Sequence, residues 1–406
     1  MARVTVLGGC GAVGSVAVKT LAQSGVFSEV VIGDANIERA KQMAKDLSGG
    51  VTAVACNAQD QPSVMQAVRG SDVVLNCVGP FYTTVKPILA AVMESGINYV
   101  DVCDDVDVTL ELLDMSEAVT QAGIAALIGM GSSPGMTNVI AKFAATALLD
   151  TTDSVDIFHT HGGEPFEGPG VIEHRFHCMS IPIPMYLDGK LQYVNYFEPD
   201  GIALRQTFNF PYIGETPIYP YPHPEQITLP RTLKLLRVTN KGSVLPEAYY
   251  NLTGDVCRLG LASKVPVQVK GQTVVPYDFA IAFIIRERER ILKEVNFGRQ
   301  RGCVSVIVRG TKDRKPLEYR FHMASTSQAL GEGTGIPAAM GAILMQQGKV
   351  QGKGVLPPEA CLNAFEFLGM AMKFFARDAA SKGTAEEENF IVEEVDEAGR
   401  STRIKI

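Results

Sequence analysis

The 406-residue chain has no tryptophan, which decides nothing about function, but its other absences narrow the field. No apolar run approaches the ~18 residues that a membrane-crossing helix needs; even 122–128 is short and leads into a Gly/Ser/Pro cluster. No membrane partner is expected. There is no basic run to neutralise a series of phosphates, and 37 basic against 44 acidic residues leave a formal charge of -7, so no nucleic-acid partner is expected either. The eight cysteines, Cys10, Cys56, Cys77, Cys103, Cys178, Cys257, Cys303 and Cys361, include no C-x-x-C pair, so reduced thiols are expected and zinc has little support. MARVTVLGG runs straight into a strand and a glycine loop without the regions of a secretory signal, and the expected location is cytoplasmic.

What is present is a rhythm. Short β-branched runs at 4–7, 29–32, 51–56 and 73–76 alternate with helical stretches at 15–24, 37–47 and 64–68, the βαβ pattern of a parallel sheet. It continues through a helix at 85–95, a strand at 99–102, a helix at 110–122 and a strand at 125–128. The segment 129–138 reads as a hinge, followed by an apolar helix at 140–149. Beyond 154 come strand-like runs at 155–160, 171–179, 265–269, 279–286, 304–309 and 319–323, suggesting a largely antiparallel sheet. The Pro-, Tyr- and Gly-rich stretch 182–230 reads as a long ordered excursion that shapes a pocket. Helices are expected at 338–347 and 360–376, then a tail, acidic from Ala385, in which 390–392 is either a strand or disordered. The fold class is therefore α/β: a Rossmann doubly wound parallel sheet plus a second α+β domain with a mixed or antiparallel sheet. The expected division is 1–130 for dinucleotide binding, 131–335 for substrate, 336–380 as helices packing back on the first domain, and 381–406 as tail.

The strongest local signal is Gly9-Cys10-Gly11-Ala12-Val13-Gly14, a G-x-G-x-x-G that follows a strand and opens a helix. Gly9 permits the tight turn, Gly11 lets the backbone approach a pyrophosphate, and Gly14 lets helix and strand pack closely. The helix N-terminus then faces the phosphates with its free N–H groups. Asp34 ends the second strand, where a carboxylate accepts from both ribose hydroxyls and repels a 2′-phosphate; NAD is the expected cofactor, with NADP possible. Arg39 is either an exposed helix residue or a partner for that phosphate.

In such a sheet the reacting end lies beyond the carboxyl ends of the strands. Asn76, Cys77, Val78, Gly79 and Pro80 are expected beside the nicotinamide half, with Asn76 or the main chain holding the carboxamide, and Phe81 faces substrate. Cys77 is more readily a buried filler than a nucleophile. Lys86 is either a desolvated general acid or base or a solvated helix lysine. Asp101 is the catalytic candidate of its loop; Asp104 and Asp105 are able to bind a substrate ammonium or to cap the next helix. Ser133, Pro134, Gly135 and Asn138 are substrate-side candidates from the hinge. His159 and His161 share a strand face, and His174 and His177 lie on a second strand-like run; no carboxylate or cysteine completes a metal set in that count, so no metal is expected. One histidine, with His174 the catalytic candidate, is expected to hydrogen-bond substrate or carry the proton, and a structural role is equally open to each. Arg175 and Arg205 are able to clamp a carboxylate or to sit at the surface.

These pieces together resemble the saccharopine dehydrogenase family, and within it the L-lysine 6-dehydrogenase-like and saccharopine reductase-like members: VLGGCGAVG with Asp34, NCVGPFYTTVKPILAAVMESGINYVDV at 76–102, GMGSSPGMTNVIAK at 129–142 and TGIPAAMGAILMQQGKVQGKGVLPPE at 334–359. Gly162, Gly163 and His174 are the best matches to lysine 6-dehydrogenases in the middle region. The resemblance implies a Rossmann domain, a second domain holding substrate and the contact of a homodimer, and nicotinamide-linked oxidation of a carbon–nitrogen bond in an amino acid or polyamine precursor. Ser133 stands where saccharopine reductases carry an aspartate in a G-x-D-P-G turn, which leaves the substrate open. Two rivals remain. An acylating semialdehyde dehydrogenase would need a cysteine in SSPGMTN, which has none; a dinucleotide sensor would bind the cofactor without turnover.

Overall fold

A computed structural model describes residues 2–47, 49–165, 167–325, 329–382 and 389–405. Most of the acidic run, 385–388, lies outside them. The first part of the chain alternates β1 (Arg3–Leu7), α1 (Ala12–Ser24), β2 (Glu29–Asp34), α2 (Ile37–Leu47), β3 (Val51–Ala55), α3 (Gln61–Val68), β4 (Val73–Asn76), α4 (Phe81–Glu94), β5 (Asn98–Asp101), α5 (Val106–Asp114), α6 (Ser116–Gln121) and β6 (Ala125–Leu127). Next come α7 (Met136–Phe143), β7 (Thr151–Gly162), α8 (Pro169–Ser180), β8 (Ile183–Leu187), β9 (Lys190–Val194), α9 (Pro199–Ala203), β10 (Gln206–Phe210), β11 (Gly214–Pro220), α10 (Glu225–Thr232) and β12 (Arg237–Leu245). The remainder is α11 (Glu247–Arg258), β13 (Val267–Val269), β14 (Gln272–Val274), α12 (Pro276–Glu294), β15 (Arg301–Lys312), β16 (Lys315–Ser325), α13 (Ala329–Gln346), β17 (Gly354–Leu356), α14 (Pro358–Cys361), α15 (Ala364–Lys382), β18 (Phe390–Val395) and β19 (Ser401–Ile404).

The first sheet has seven strands in the order β17-β6-β5-β4-β1-β2-β3, all parallel. Its central strands are buried on both faces, which is why they read as unbroken apolar runs rather than alternations. The order reverses between β1 and β4, leaving a crevice outside their carboxyl ends. Strand β17 adds itself beside β6, and α13 lies so close on α1 that a Cβ at Gly335 would come within 2.7 Å of the Val13 carbonyl oxygen. The second sheet runs β10-β11-β12-β7-β15-β16-β18-β19, with β8 and β9 branching from β12. It is mixed: β7 and β12 are parallel and its other pairs antiparallel.

Several expectations are corrected here. The run 171–179 is the helix α8, not a strand; Pro169 opens it, and Ile172, Arg175, Phe176 and Met179 are buried at helical spacing. The run 279–286 lies inside α12, whose buried Tyr277, Ala280, Ile281, Ile284, Arg288 and Ile291 repeat with the same period. The helix at 110–122 is two, divided at Met115. The helix expected from 140 begins at Met136, where the Asn138 side chain accepts from the Gly135 N–H, and ends in a wider π turn over Ala144–Leu148. The excursion 182–230 is built from β8 to β11, α9 and most of α10, and 390–392 is in a strand paired with β16. Among the described residues no helix is long and apolar enough to cross a membrane.

A buried ion network locks α8 to the second domain. Arg175 donates to Glu167 and, at 2.9 Å, to the Tyr249 hydroxyl; Tyr249 donates to Glu167 Oε2 at 2.8 Å, and Arg288 Nε reaches the same oxygen at 2.7 Å. Burial opposes the Glu167 charge, but Arg175, Tyr249 and Arg288 overcome it and hold the carboxyl below its usual range. Removing one partner of a buried pair leaves the others desolvated and uncompensated. Glu167→Gln is therefore expected to cost about 3–5 kcal/mol, read as a clear drop in the thermal unfolding midpoint; an unchanged midpoint would show that the arginines find other partners.

Candidate active site

The glycine loop closes on its own backbone. Gly8, at φ +71°, donates to the Gly33 carbonyl, and the Gly11 N–H returns to Gly8 O at 3.0 Å. A Cβ at Gly14 would lie 2.2 Å from Gly8 O, so the start of α1 tolerates no side chain there, whereas a Cβ at Gly11 would meet only Gly8 O, at 3.3 Å. Gly11, Ala12 and Val13 thus form an accessible edge at the helix N-terminus, where first-turn N–H groups have no intrahelical acceptor, and this cradle fits a pyrophosphate. Asp34 is built into the loop, accepting from the Cys10 N–H and the Asn36 N–H, each at 2.9 Å. Burial, and then Asp34, push the Cys10 thiol up to about 11, which makes it an inert filler. Arg39 is exposed.

The β4 loop runs alongside. The Cys77 N–H donates to Leu7 O at 2.9 Å, and a Cβ at Gly8 would touch the Cys77 carbonyl and the Val78 side chain, so both loops border one crevice. Asn76 is fully buried and spent internally: its amide donates to the Tyr99 hydroxyl and its oxygen accepts from the Val78 N–H, each at 2.9 Å. With both ends of its amide engaged, Asn76 is corrected as a carboxamide holder. Burial, then Asp101, push the Cys77 thiol up to about 12. Gly79 and Pro80 lead into α4, whose first residue, Phe81, is half-buried. Lys86 does not enter the crevice; it pairs with Glu111 at 2.9 Å, both side chains about half exposed, so the desolvated-base reading is corrected to a surface ion pair.

Asp101 is fully buried at the end of β5, and its Oδ1 accepts from Gly129 at 2.7 Å and Cys103 at 3.1 Å. Burial raises its carboxyl to about 6. It therefore fixes two loops to each other. The next carboxylates meet α8: His174 Nδ1 lies 3.0 Å from Asp105 Oδ1, while its Nε2 lies 3.4 Å from Cys178 Sγ and 3.6 Å from Asp104 Oδ2. Asp105 is held in turn by the Tyr82 N–H at 3.0 Å. Burial works against a charged His174, but Cys178, Asp104, Tyr221 and Asp105 overcome it and raise the imidazole well above its usual range. His177 pairs with Asp107 at 3.1 Å and stacks on Tyr82. The count that found no carboxylate beside a histidine is thus corrected: Asp104, Asp105 and His174, and Asp105, Asp107 and His177, each bring side-chain ligand atoms within 4.8 Å of one another. Arg175 is corrected too, since Glu167 and Tyr249 take both its terminal nitrogens and leave no fork for a carboxylate. Arg205 lies over the rings of Tyr196 and Tyr219.

Sequence reasoning missed the other wall. Ser133 Oγ meets Glu225 Oε1 at 2.5 Å and His223 Nδ1 at 3.1 Å, and Thr137 donates to the same glutamate oxygen at 2.7 Å. Asn138 donates to Thr228 and, at 2.9 Å, to Glu359, tying α7 to α10 and α14. Pro134 and Gly135 shape the turn: Gly131 donates to the Pro134 carbonyl, and a Cβ at Gly135 would strike Gly131 O at 2.2 Å. His159 stacks on His223 and lies edge-on to Tyr221, occupying space that exists because Gly242 opposite has no side chain. His161 pairs with Glu164 at 2.6 Å instead. The only sequence signal for Tyr221, His223 and Glu225 was their clustering in the proline-rich YPHPEQ.

A dinucleotide crevice at a sheet reversal, roofed by a second domain that brings a histidine–carboxylate cluster to the strand ends, defines an NAD(P)-binding oxidoreductase of two sheets. Residues 4–127 match the family described as Saccharopine dehydrogenase NADP binding domain. The first domain is thus of the saccharopine dehydrogenase NADP-binding kind. It is 25% identical over 382 residues to carboxyaminopropylagmatine dehydrogenase of Synechocystis sp., covering 88% of this chain and 92% of that one. Carboxynorspermidine synthase of Vibrio cholerae is 24% identical over 397 residues, with 89% and 92% covered. Apo saccharopine dehydrogenase (L-Glu forming) from Saccharomyces cerevisiae shares the fold, with a TM-score of 0.65 at 14% identity over 99% of this chain and 100% of that one.

Gly14→Ala tests the loop geometry apart from any chemistry. The added methyl must move backbone, so a loss of about 3 kcal/mol or more in stability is expected, with a lower thermal midpoint than Gly11→Ala. Equal midpoints for the two variants would contradict the close approach at Gly14.

Proposed function

We propose that the protein is an NAD(P)-dependent dehydrogenase acting on the carbon–nitrogen bond of an amino acid or polyamine precursor, oxidising an amine to an imine or reducing the imine in reverse. The observation that carries this is His174, held between Asp105 and Asp104 where the second domain meets the strand ends. The names of the two curated relatives support the substrate class.

When bound, the dinucleotide supplies or accepts the hydride. Gly11 to Gly14 cradle its phosphates, Asp34 receives the adenosine ribose, and the main chain of 77–80 borders the nicotinamide. Asp34 favours NAD, because its charge opposes a 2′-phosphate. The family description supports NADP instead, with Arg39 near enough to the loop for its charge to act on Cys10. Asp105 orients the imidazole through Nδ1, so Nε2 is the atom left to hold or release the proton that the substrate nitrogen exchanges. Asp101 holds the loops in register, Phe81, Ser133 and the 134–138 turn line the substrate side, and closure of the two domains excludes water. A homodimer belongs to the same reading.

The test is a change in NADH or NADPH absorbance with lysine, ornithine, saccharopine and carboxyspermidine-type imines, in both directions. Turnover on one is expected; dinucleotide binding without turnover on any would favour a sensor. His174→Gln is expected to lower kcat about 10²-fold or more while leaving dinucleotide affinity unchanged. His174 is protonated below its raised pKa, so imine reduction should fall, and amine oxidation rise, as pH passes upward through that value. The same pH profile in His174→Gln would remove His174 from the proton path.

A further inference from the structure

From Asp104 beside His174 to Glu225 on the other wall, the cleft holds buried acceptors without a full set of donors. Glu225 is fully buried; its Oε1 is taken by Ser133 and Thr137, while Oε2 has no well-formed hydrogen bond and pairs with His223 Nδ1 at 3.4 Å, and against burial these partners hold the carboxyl below its usual range. Asn240 is fully buried and spends its amide on Ser133 Oγ at 3.4 Å; its Oδ1 has no well-formed hydrogen bond, and the His159 ring, whose Nε2 is likewise without one, lies close enough to interact with it. Asp104 Oδ1 is buried and unpartnered beside His174, close enough to His223 for the two charges to act on each other. Ser133 links Glu225, Asn240 and His223 by hydrogen bonds, and His223 in turn acts on Asp104 through its charge. Leaving such atoms dry is unfavourable for each of them, so a site that retains several is built to receive a ligand's donors.

Their chemistry selects the ligand. Oxygens of two carboxylates and an amide offer acceptors without matching donors, which suits a group with several N–H donors and a positive charge. A substrate carboxylate is disfavoured at this wall, because Glu225 would repel it and Arg175, whose charge acts on Tyr221, is already consumed by Glu167 and Tyr249. We infer that Glu225, Asn240 and Asp104 form a subsite for a cationic nitrogen of the substrate, a primary ammonium or a guanidinium distinct from the nitrogen that reacts at His174. This rests on the carbon–nitrogen reading for the identity of the ligand as substrate, though not for the binding itself. Glu225 and Asn240 discriminate among amines here, rather than moving a proton.

The experiment is calorimetric titration of the full chain, with and without NADP⁺, using agmatine and propane-1,3-diamine as probes and propane-1,3-diol as the uncharged control. The two cations are expected to bind and the diol not. Glu225→Gln should weaken cation binding at least tenfold and Asn240→Leu at least fivefold, with NADP⁺ affinity kept. Lys86→Ala, at the exposed ion pair, should change nothing. If Glu225→Gln does not fold, Asn240→Leu and the probe comparison on the parent protein still decide. Diol binding equal to that of the diamine, or folded variants within twofold of the parent, overturns the subsite. Glu225-dependent cation binding in a protein that turns over no amine keeps the subsite and overturns the reaction. Turnover that is indifferent to a second cationic nitrogen, and unchanged in Glu225→Gln, does the reverse.

Discussion

The site hangs on one buried carboxylate. Asp101 Oδ1 accepts from both Gly129 and Cys103, and the Asp101 carbonyl accepts from Met130 at 2.7 Å, so a single residue fixes the exits of β5 and β6 relative to each other. Most of the candidate substrate residues on the first-domain side leave by one of those exits: Asp104 and Asp105 by the first, Ser133 to Asn138 by the second. Burial makes the charge expensive, as its raised carboxyl shows. The charge persists because a neutral apolar residue would leave two buried N–H groups without acceptors. Asp101 was the catalytic candidate of its loop, and its geometry makes it the anchor of the loops that carry the candidates.

The second domain answers with an anchor of the same kind. Arg175 lies one residue from His174 on α8, so the ion network that holds Arg175 also sets the height of the imidazole over Asp105. A helix held only by apolar packing could slide or rotate at modest cost. One held by a bidentate, fully buried arginine could not, because any displacement strands a charge. The sequence candidate for a substrate clamp therefore contributes by positioning the residue beside it.

How far the sequence revealed this depended on whether the signal was local. The glycine loop, the place of Asp34 at the end of β2 and the parallel sheet were legible because each rests on a pattern within one βαβ unit, where backbone sterics at Gly14 leave no alternative residue, whereas the strand order came only from the fold. The helices α8 and α12 were misread as strands because Val171, Ile172, Phe176 and Met179, like Phe279 to Ile285, are β-branched, aromatic or apolar. A short window over such residues cannot separate a period of 3.6 from an unbroken buried strand. Pro169 and Pro276 in the first turns were the available signals, and extending the second window to Ile291 exposes the helical spacing. Ser133 and Glu225 are 92 residues apart, and no periodicity carries information over that distance.

The two walls of the cleft divide the electrostatic work, and that division follows from which groups have partners. On the His174 side every nitrogen of the imidazole has an acidic neighbour, which favours holding a proton. On the Glu225 side the oxygens outnumber the donors, and His159, which burial ahead of the charges of His223 and His161 keeps well below its usual range, brings no positive charge to compensate. A cleft with one proton-bearing group and one acceptor-rich wall treats two nitrogens of the same molecule differently. The first is able to lose or gain charge during the reaction; the second is stabilised only while it stays cationic. In the proposed reading, reaction and recognition therefore fall to separate nitrogens: the acidic neighbours of His174 overcome burial to hold a proton, while the other wall offers desolvated acceptors.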